Sequence, residues 1–444
     1  MSEHTHLKQL NGSAATHCAR DEELHKECSA GKCSKTVQQE DTWSTFRIIR
    51  VCTLMAPIVT LLYEGCRHPS EPWALLGDTS MPFLDWTTLF VVFIYTALQG
   101  ALYYLPFGPV ELCRKGSDGK FLQYNCNSLH AFVVSSAVLV GMWIGGVFQA
   151  CLITDRIYSL IYACSIISLL MATVVYLHSC REQTSNEIHR KITGLLRDFS
   201  LGKEISPRIA GIDMKQFFMV RIGFMGWGII SICYLLAEIE RDGLVSLPML
   251  LVVVFQLLYT VEFFIDEASV LDTREFTDEG IGFLMIQGEY IYIPFCSSTP
   301  AFFLLHRPLQ ISLPAVILIC LLYGVGLAIY YFSNVQKDCF RKDPSDPAIS
   351  SLKTISSPTG QNLLVSGWFG WVRHPNYLGD ILMTWAWTLP CGFSNVLPYI
   401  PAVFCTIILI RRANENEEAC QEKHGEAWQE YCRRVPYQLL PYIY

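Results

Sequence analysis

The densest cluster of residues that could bind or react with a ligand lies between Leu363 and Gly379, in the segment LLVSGWFGWVRHPNYLG. It combines a cation, stacking surfaces and neutral hydrogen-bonding groups, namely Arg373, Trp368, Phe369, Asn376 and Tyr377. An arginine can bind an anion through two parallel hydrogen bonds, and aromatic rings can stack on a flat ligand. Two interpretations remain open: a site for a phosphate-bearing aromatic cofactor, or an amphipathic re-entrant loop anchored at a membrane interface.

Two further pairs of polar residues flank this segment at helical spacing. Lys337 and Arg341 are four residues apart, so a helix would present both cations on one face, which suits an anion. Arg412 and Asn416 have the same spacing beyond the segment. The sequence therefore predicts that two helices frame the cluster.

A separate set of polar residues lies inside apolar runs. Tyr259, Glu262 and Asp266 recur at helical spacing and share one helix face, and Glu289 lies within the next apolar run. These groups could be buried ion pairs that stabilise a bundle, or an acid with its orienting partners beside a bound lipid. We favour the second interpretation, because an unpaired carboxyl within a membrane is costly and usually functional.

The composition indicates a polytopic membrane protein. The chain has 444 residues, of which 51% are hydrophobic and only 16% charged, less charge than a soluble protein of this length carries. Its net charge of −7 argues against a nucleic-acid partner. Many of the 18 cysteines lie in apolar runs, so we expect free thiols and no disulfide framework.

Apolar runs give the expected architecture, an all-α membrane bundle. About ten runs are long enough, or nearly so, to cross a hydrocarbon core of ~30 Å as helices. They lie near residues 46–63, 86–105, 130–153, 156–178, 217–238, 243–265, 281–305, 309–333, 377–393 and 396–411. The ninth run is short and contains Pro390, so we expect a break there.

The distribution of basic residues predicts the topology. Lys and Arg concentrate in alternate connections, for example residues 179–216 and 334–376, whereas the other connections are short or acidic. The positive-inside rule then places both termini and the 363–379 cluster in the cytosol. No cleavable signal peptide precedes the first apolar run, so the first span is expected to direct the chain to its membrane.

Residues 1–41 are polar and are predicted to form a disordered cytosolic tail ahead of a transmembrane domain at 42–444. The tail contains Cys18, Cys28 and Cys33 among His, Lys and Glu. Their spacing fits no zinc pattern, so no metal site is expected.

The central segment resembles the sterol reductase family, which includes delta-14-sterol reductase, the C-terminal half of the lamin B receptor and 7-dehydrocholesterol reductase. The resemblance rests on GWFGWVRHPNYLGD followed by WTLPCGF. VQKDCFRKDPSDP (335–347) and YCRRVPYQLLPYIY (431–444) are especially similar to the delta-14-sterol reductase and lamin B receptor branch. The resemblance to the family covers the chain from about Thr42 to Tyr444.

This resemblance implies NADPH-dependent reduction of a ring double bond in a sterol, with delta-14 favoured, by olefin protonation and hydride transfer. It implies an endoplasmic reticulum membrane location, with the inner nuclear membrane as an alternative. The cofactor site would lie in the C-terminal, cytosol-facing half. Its residues would be Lys337, Arg341, Leu364, Trp368, Phe369, Arg373, Asn376, Tyr377, Asn416 and Tyr431. The catalytic network would comprise Tyr259, Glu262, Glu289, Arg412 and Tyr431, with Tyr259 as the acid or its relay, supported by Glu262.

The last helix departs from the family pattern. Where relatives have R-E-x-R-D-E, this chain has Arg412-Ala-Asn-Glu-Asn-Glu417, so Glu415 replaces an arginine and Asn416 an aspartate. His424 stands where relatives have tyrosine. An asparagine has no titratable proton, so the cofactor could bind differently, proton delivery could fall to Tyr259 or Tyr431, or activity could be weak.

Two other classes therefore remain open. One is a sterol-binding membrane protein similar to the lamin B receptor whose catalysis is weakened. The other is an isoprenylcysteine-type methyltransferase using S-adenosylmethionine, because RHPNYLG also resembles the C-terminal motif of those shorter chains.

Overall fold

The computed structural model describes residues 33–69, 84–113, 121–182, 192–271, 273–277, 279–343, 349–360 and 362–442. Residues 1–32 of the predicted tail lie outside these ranges. The N-terminal half contains α1 (Cys33–Arg67), α2 (Trp86–Tyr103), α3 (Ser128–Ile144), α4 (Cys151–Asp155), α5 (Ile157–Glu182) and α6 (Ile192–Leu201). Two antiparallel hairpins accompany them, β1 (Val110–Cys113) with β2 (Leu122–Asn125) and β3 (Arg208–Ile209) with β4 (Ile212–Asp213).

The C-terminal half carries the residues of interest. It contains α7 (Met214–Asp242), α8 (Leu247–Ile265), α9 (Glu267–Val270), α10 (Arg274–Thr277), α11 (Phe283–Gln287), α12 (Thr299–His306) and α13 (Leu313–Lys342). The hairpin of β5 (Thr354–Ile355) and β6 (Leu363–Leu364) follows, then α14 (Pro375–Thr388), α15 (Ile400–His424) and α16 (Glu426–Arg434). Short 3-10 turns lie at Gly367–Gly370, Leu389–Cys391 and Leu397–Tyr399.

Six helices in the described residues are long and apolar enough to cross a membrane: α1 from Ile48, α2, α5 to Arg181, α7, α8 and α13. This confirms the predicted all-α polytopic membrane class, whereas the count of about ten spans stays a prediction. The remaining apolar runs form shorter or interrupted helices. The ninth run is one of these, since α14 ends at Thr388 and a 3-10 turn containing Pro390 follows.

Two π-helical segments pack against each other within the bundle. Residues Phe217–Phe224 of α7 form one, and Gly288–Cys296, directly after α11, form the other. A Cβ atom at Gly223 would collide with the carboxyl of Glu289, so the glycine makes this close approach possible. π-Helices are rare and frequently accompany functional sites.

Helices α13 and α14 approach each other through two glycines. A Cβ atom on Gly379 would lie 2.6 Å from the carbonyl oxygen of Gly326 and from the backbone nitrogen of Tyr330. A Cβ atom on Gly326 would in turn lie 2.9 Å from the carbonyl oxygen of Gly379. Small residues allow backbones to approach in this way in membrane bundles. The contact fixes the first turns of α14 against the C-terminal half of α13.

Candidate active site

The segment before α14 is fixed to the end of α13 by a side-chain amide. The Gln336 Oε1 atom accepts a hydrogen bond of 2.9 Å from the backbone nitrogen of Trp368. Gly367 has a φ of +67°, and a Cβ atom there would collide with the Gln336 amide. Glycine is therefore needed at this position for both conformation and space. The contact fixes the Gly367–Gly370 turn, which includes Trp368 and Phe369, to α13 at Gln336.

The start of α14 is joined to α15 by a stack and a hydrogen bond. The rings of His374 and Tyr377 stack with centroids 5.1 Å apart and planes 9° apart. The Asn416 Nδ2 atom donates a hydrogen bond of 2.9 Å to the Tyr377 hydroxyl. Burial, with the nearby Arg373 and Lys337 cations, lowers the pKa of His374 to about 4, so its ring is neutral at pH 7. Its buried Nε2 atom has no hydrogen-bond partner among the described residues.

Arg373 holds the segment that follows α16. Its guanidinium forms an ion pair with Glu417 and donates hydrogen bonds of 3.0 Å to the carbonyl oxygens of Val435 and Pro436. Its backbone nitrogen donates to the carbonyl oxygen of Tyr437 at 3.0 Å. The guanidinium is therefore engaged with protein groups, and the arginine acts on the site by fixing its wall.

Tyr431 closes the same wall from α16. Its hydroxyl donates a hydrogen bond of 3.0 Å to the carbonyl oxygen of Phe369, and burial raises its pKa. Leu364 is buried in β6, where it pairs with Thr354. Other residues of the β5–β6 hairpin pack against the cluster that contains Tyr431. Leu364, Trp368, Phe369 and Tyr431 thus belong to one lobe, called the cofactor lobe below.

Three predicted cations lie around this lobe. Lys337 is half-buried and close enough to Arg341 for the two charges to interact, whereas Arg341 is exposed. Arg412 lies one turn before Asn416 on α15, and burial lowers its pKa. Asn376 lies in the first turn of α14 beside Tyr377. The predicted site residues not yet described are Tyr259, Glu262 and Glu289.

Glu415 lies on the outer side of α15. Its carboxylate pairs with Arg411 at 2.8 Å, and the two side chains are 49% and 79% exposed. Asn416, by contrast, contacts Tyr377 within the lobe. The structure therefore separates the two departures from the family pattern, although they are adjacent in sequence.

Tyr259 lies deeper in the bundle, in a cage of aromatic rings. Its ring centroid is 5.3 Å from that of Trp387 and 5.7 Å from that of Trp227. Its hydroxyl interacts with the carboxyl of Asp380 on α14. Sequence reasoning quoted Asp380 in its motif without giving it a role. The available signal was its position three residues after Tyr377, which places both side chains on one face of α14.

Glu262 and Asp266 continue from Tyr259 along α8. The carboxyl of Glu262 interacts with those of Asp266 and Asp380. The Ser269 hydroxyl lies 2.6 Å from Asp266 Oδ1 and 3.5 Å from Asp338 Oδ2. Asp266 is exposed at the end of α8, so this row of carboxyls extends from Tyr259 to the protein surface.

Glu289 lies apart from this row. Its carboxyl packs against Gly223 in the paired π-helices, and its buried Oε2 atom has no hydrogen-bond partner among the described residues. The structure shows no electrostatic interaction between Glu289 and either Tyr259 or Asp380. The structure therefore brings Tyr259 and Glu262 together and leaves Glu289 outside that group.

A cavity of about 610 Å³ opens on the outer side of the lobe, between α15 and α16. It is lined by Glu417, Glu418, Gln421, Glu422, Trp428, Gln429 and Cys432. Its acidic lining does not suit a phosphate group, and it contains none of the predicted cofactor-binding residues. Two of its lining residues contact residues of the predicted site: the Trp428 ring packs on Tyr431, and Glu417 pairs with Arg373.

Comparison with known proteins adds the family context. Residues 65–444 match the model of the "Ergosterol biosynthesis ERG4/ERG24 family". The chain is 39% identical to "Delta(14)-sterol reductase TM7SF2" of Mus musculus over 381 residues, which is 86% of this chain and 88% of that protein. It is 37% identical to "Delta(14)-sterol reductase LBR" of Gallus gallus over 85% of this chain and 60% of that protein. It is 35% identical to "Delta(14)-sterol reductase" of Arabidopsis thaliana over 79% of this chain and 94% of that protein.

Proposed function

Because the chain belongs to the ergosterol biosynthesis ERG4/ERG24 family, we propose that it is an enzyme that reduces the delta-14 double bond of a sterol with NADPH. The family membership confirms the resemblance predicted from the 363–379 segment. The named relatives are delta(14)-sterol reductases, which supports sterol reduction as the reaction class. The choice of cofactor and the residues that bind it are part of the proposal.

One observation carries the proposal: a lobe suited to a nucleotide and a buried acid are connected by one turn of α14. Tyr377 contributes to the lobe and Asp380 interacts with Tyr259, and the two positions share a helix face. Reduction of an isolated double bond needs a proton donor and a hydride donor close to the same pair of carbons. This arrangement provides a place for each.

The residues of the lobe fit NADPH. Lys337 and Arg341 offer cations for phosphate groups, and the neutral His374 ring leaves a buried Nε2 atom that a ligand could satisfy. The backbone nitrogen of Trp368 is bound to α13 at Gln336, the residue before Lys337. When bound, the cofactor would supply the hydride.

Tyr259 is the proposed proton donor to the sterol. Its O–H bond breaks as a C–H bond forms on the double bond, which leaves a tertiary carbocation. The rings of Trp227 and Trp387 can stabilise this cation through their faces and exclude the water that would convert it to an alcohol. Hydride addition then completes the reduction.

Asn416 supports a second candidate, a sterol-binding membrane protein with weakened catalysis. The family pattern that the sequence resembles has a titratable carboxyl at this position, whereas the amide here can position Tyr377 but cannot transfer a proton. We keep reduction as the first proposal, because the Tyr259 acid site does not involve Asn416. The proposal includes an endoplasmic reticulum location, or the inner nuclear membrane, with both termini in the cytosol.

Turnover by the purified chain in lipid nanodiscs is the direct test. A delta-14 sterol should be reduced with NADPH, and S-adenosylmethionine with a prenylcysteine should give no product. Expression in cells that lack a native delta-14 reductase should also remove the accumulated delta-14 sterol. Sterol binding without NADPH oxidation would favour the weakened, sterol-binding candidate instead.

A further inference from the structure

We propose that Asp380 is a positioning residue that orients the Tyr259 hydroxyl and returns a proton to it after each turnover, with Glu262 leading to the cytosol. The inference rests on the proposed reductase function and deepens it, because it assigns the source of the proton. It adds a carboxyl of α14 to an acid site whose aromatic residues come from α7, α8 and α14.

The position of Asp380 is fixed by its neighbours. The preceding residue, Gly379, lies in backbone contact with Gly326 and Tyr330, so α14 cannot shift away from α13 without losing that packing. The Asp380 carboxyl interacts with the Tyr259 hydroxyl, and its Oδ1 atom is buried without a hydrogen-bond partner among the described residues. A buried carboxyl oxygen left without a partner is unfavourable, and catalytic hydrogen bonds often tighten only when substrate binds.

A route from Asp380 to the surface runs along α8. The Glu262 carboxyl interacts with both Asp380 and Asp266, and it lies one turn from each of Tyr259 and Asp266. The Ser269 hydroxyl then contacts the carboxyls of Asp266 and Asp338. The proposed proton exchange follows this row of carboxyls, from the exposed Asp266 through Glu262 to Asp380.

The titratable groups facing Asp380 come from three helices. They are Tyr259 and Glu262 on α8, Tyr323 and Tyr330 on α13, and Cys405 on α15. The structure shows no cation among these neighbours. A proton on Asp380 is therefore not displaced by a neighbouring positive charge, which suits a group that must donate.

The proton balance closes without another reactant. Tyr259 loses its proton to the sterol carbon, and the resulting phenolate takes the proton of Asp380. The Asp380 carboxylate is protonated again through Glu262 from the cytosol. Each reduction therefore consumes one cytosolic proton and one hydride, as the proposed overall reaction requires.

Turnover of wild type, Asp380→Asn, Asp380→Glu and Glu262→Gln in nanodiscs tests the proposal, with a delta-14 sterol and NADPH. Asp380→Asn should lower kcat by about 10²-fold, the lower range for a positioned acid–base group, with the KM values little changed. It should also abolish the pH dependence of kcat and enlarge the solvent deuterium effect, neither of which a structural role would do. Asp380→Glu should restore part of the rate.

Asp242→Asn is the matched control, since Asp242 is an exposed carboxyl at the other end of the bundle and pairs with Arg241. It should behave as wild type. If wild type reduces the sterol and Asp380→Asn keeps its rate and pH profile, the inference is wrong while the proposed function stands. If wild type reduces no sterol, both are wrong. Glu262→Gln should also lower kcat, and if Asp380→Asn fails to fold, a Glu262→Gln variant with the rate and pH profile of wild type would overturn the inference.

Discussion

The Asn416 amide on α15 donates a hydrogen bond of 2.9 Å to the Tyr377 hydroxyl on α14. The direction of this bond matters, because the Tyr377 oxygen acts as its acceptor. An aspartate at position 416, as in relatives, could only accept from the tyrosine when ionised. An exchange of aspartate for asparagine at this position therefore reverses the direction of the hydrogen bond to Tyr377.

Asn416→Asp should therefore raise turnover if the family carboxyl improves cofactor positioning or proton delivery. The gain is bounded by the ~10²–10⁴-fold that a positioned acid–base group contributes. Steady-state kinetics with a delta-14 sterol and NADPH give the measurement. Glu415→Gln is the control and should leave the rate unchanged, since Glu415 pairs with Arg411 on the exposed side of α15. A slower Asn416→Asp variant would show that this chain uses a different network.

Tyr259→Phe should remove the proposed proton donor while keeping the aromatic cage with Trp227 and Trp387. We expect kcat to fall by ~10²–10⁴-fold with NADPH affinity unchanged. Tyr399→Phe serves as control, because the Tyr399 hydroxyl only donates to the Gly392 carbonyl, at 2.9 Å. Full activity of Tyr259→Phe would exclude this tyrosine as the acid.

Arg341→Ala should weaken NADPH binding by about 1.5 kcal/mol, the lower end of the range for a hydrogen bond to a charged group, because Arg341 is exposed. The effect should shrink at high salt, which screens exposed charges. Titration of the cofactor by fluorescence or calorimetry measures it. Lys342→Ala removes the adjacent cation and should have a smaller effect, and equal losses from both variants would contradict a specific contact at Arg341.

Gly379→Ala should destabilise the contact between α13 and α14. Its Cβ atom would lie 2.6 Å from two backbone atoms, and overpacking of this kind costs roughly 1–3 kcal/mol. Thermal unfolding in detergent should therefore occur at a lower temperature. Gly324→Ala, on the facing helix α13, has no atom within 4 Å of the added carbon and should be neutral. Equal melting temperatures for both variants would show that the bundle relaxes around position 379.

His374 should make stability depend on pH. Its pKa is about 4 in the folded protein and 6.5 in an unfolded chain, so the unfolded state binds more protons between these values. Stability should be complete above pH 6.5 and fall as the pH drops toward 4. Melting temperatures of wild type and His374→Gln between pH 7 and 5 test this, and we expect the variant to lose less stability over that range. Parallel losses in both proteins would assign the effect to other groups.

The sequence predicted the membrane class and the family because these depend on local features. Apolar runs report burial in lipid, and the Trp368–Tyr377 segment carries its chemistry within a few residues. The partnership of Asp380 with Tyr259 was missed because it depends on which helices are neighbours, and spacing along one helix cannot reveal that. Glu289 could not be excluded from the acid site for the same reason.

Arg373 shows a further limit of sequence reasoning. Its type and its motif pointed to an anion, whereas the structure uses its guanidinium for Glu417 and for the carbonyl oxygens of Val435 and Pro436. Backbone carbonyl oxygens at the end of a segment can bind an arginine just as a phosphate group can. The types of side chain in a sequence do not reveal which carbonyl oxygens need such a partner.

The paired π-helices at Phe217–Phe224 and Gly288–Cys296 make segment length as important as segment composition. A π-turn holds more residues than an α-turn, so removing a residue from Phe217–Phe224 would rewind the segment and rotate one half of α7 against the other by about 100°. Trp227 would then leave the face of Tyr259, although no side chain had been replaced. Insertions and deletions here are expected to be far less tolerated than substitutions. The number of residues in each π-helical segment sets the rotation of the helix after it relative to the helix before it.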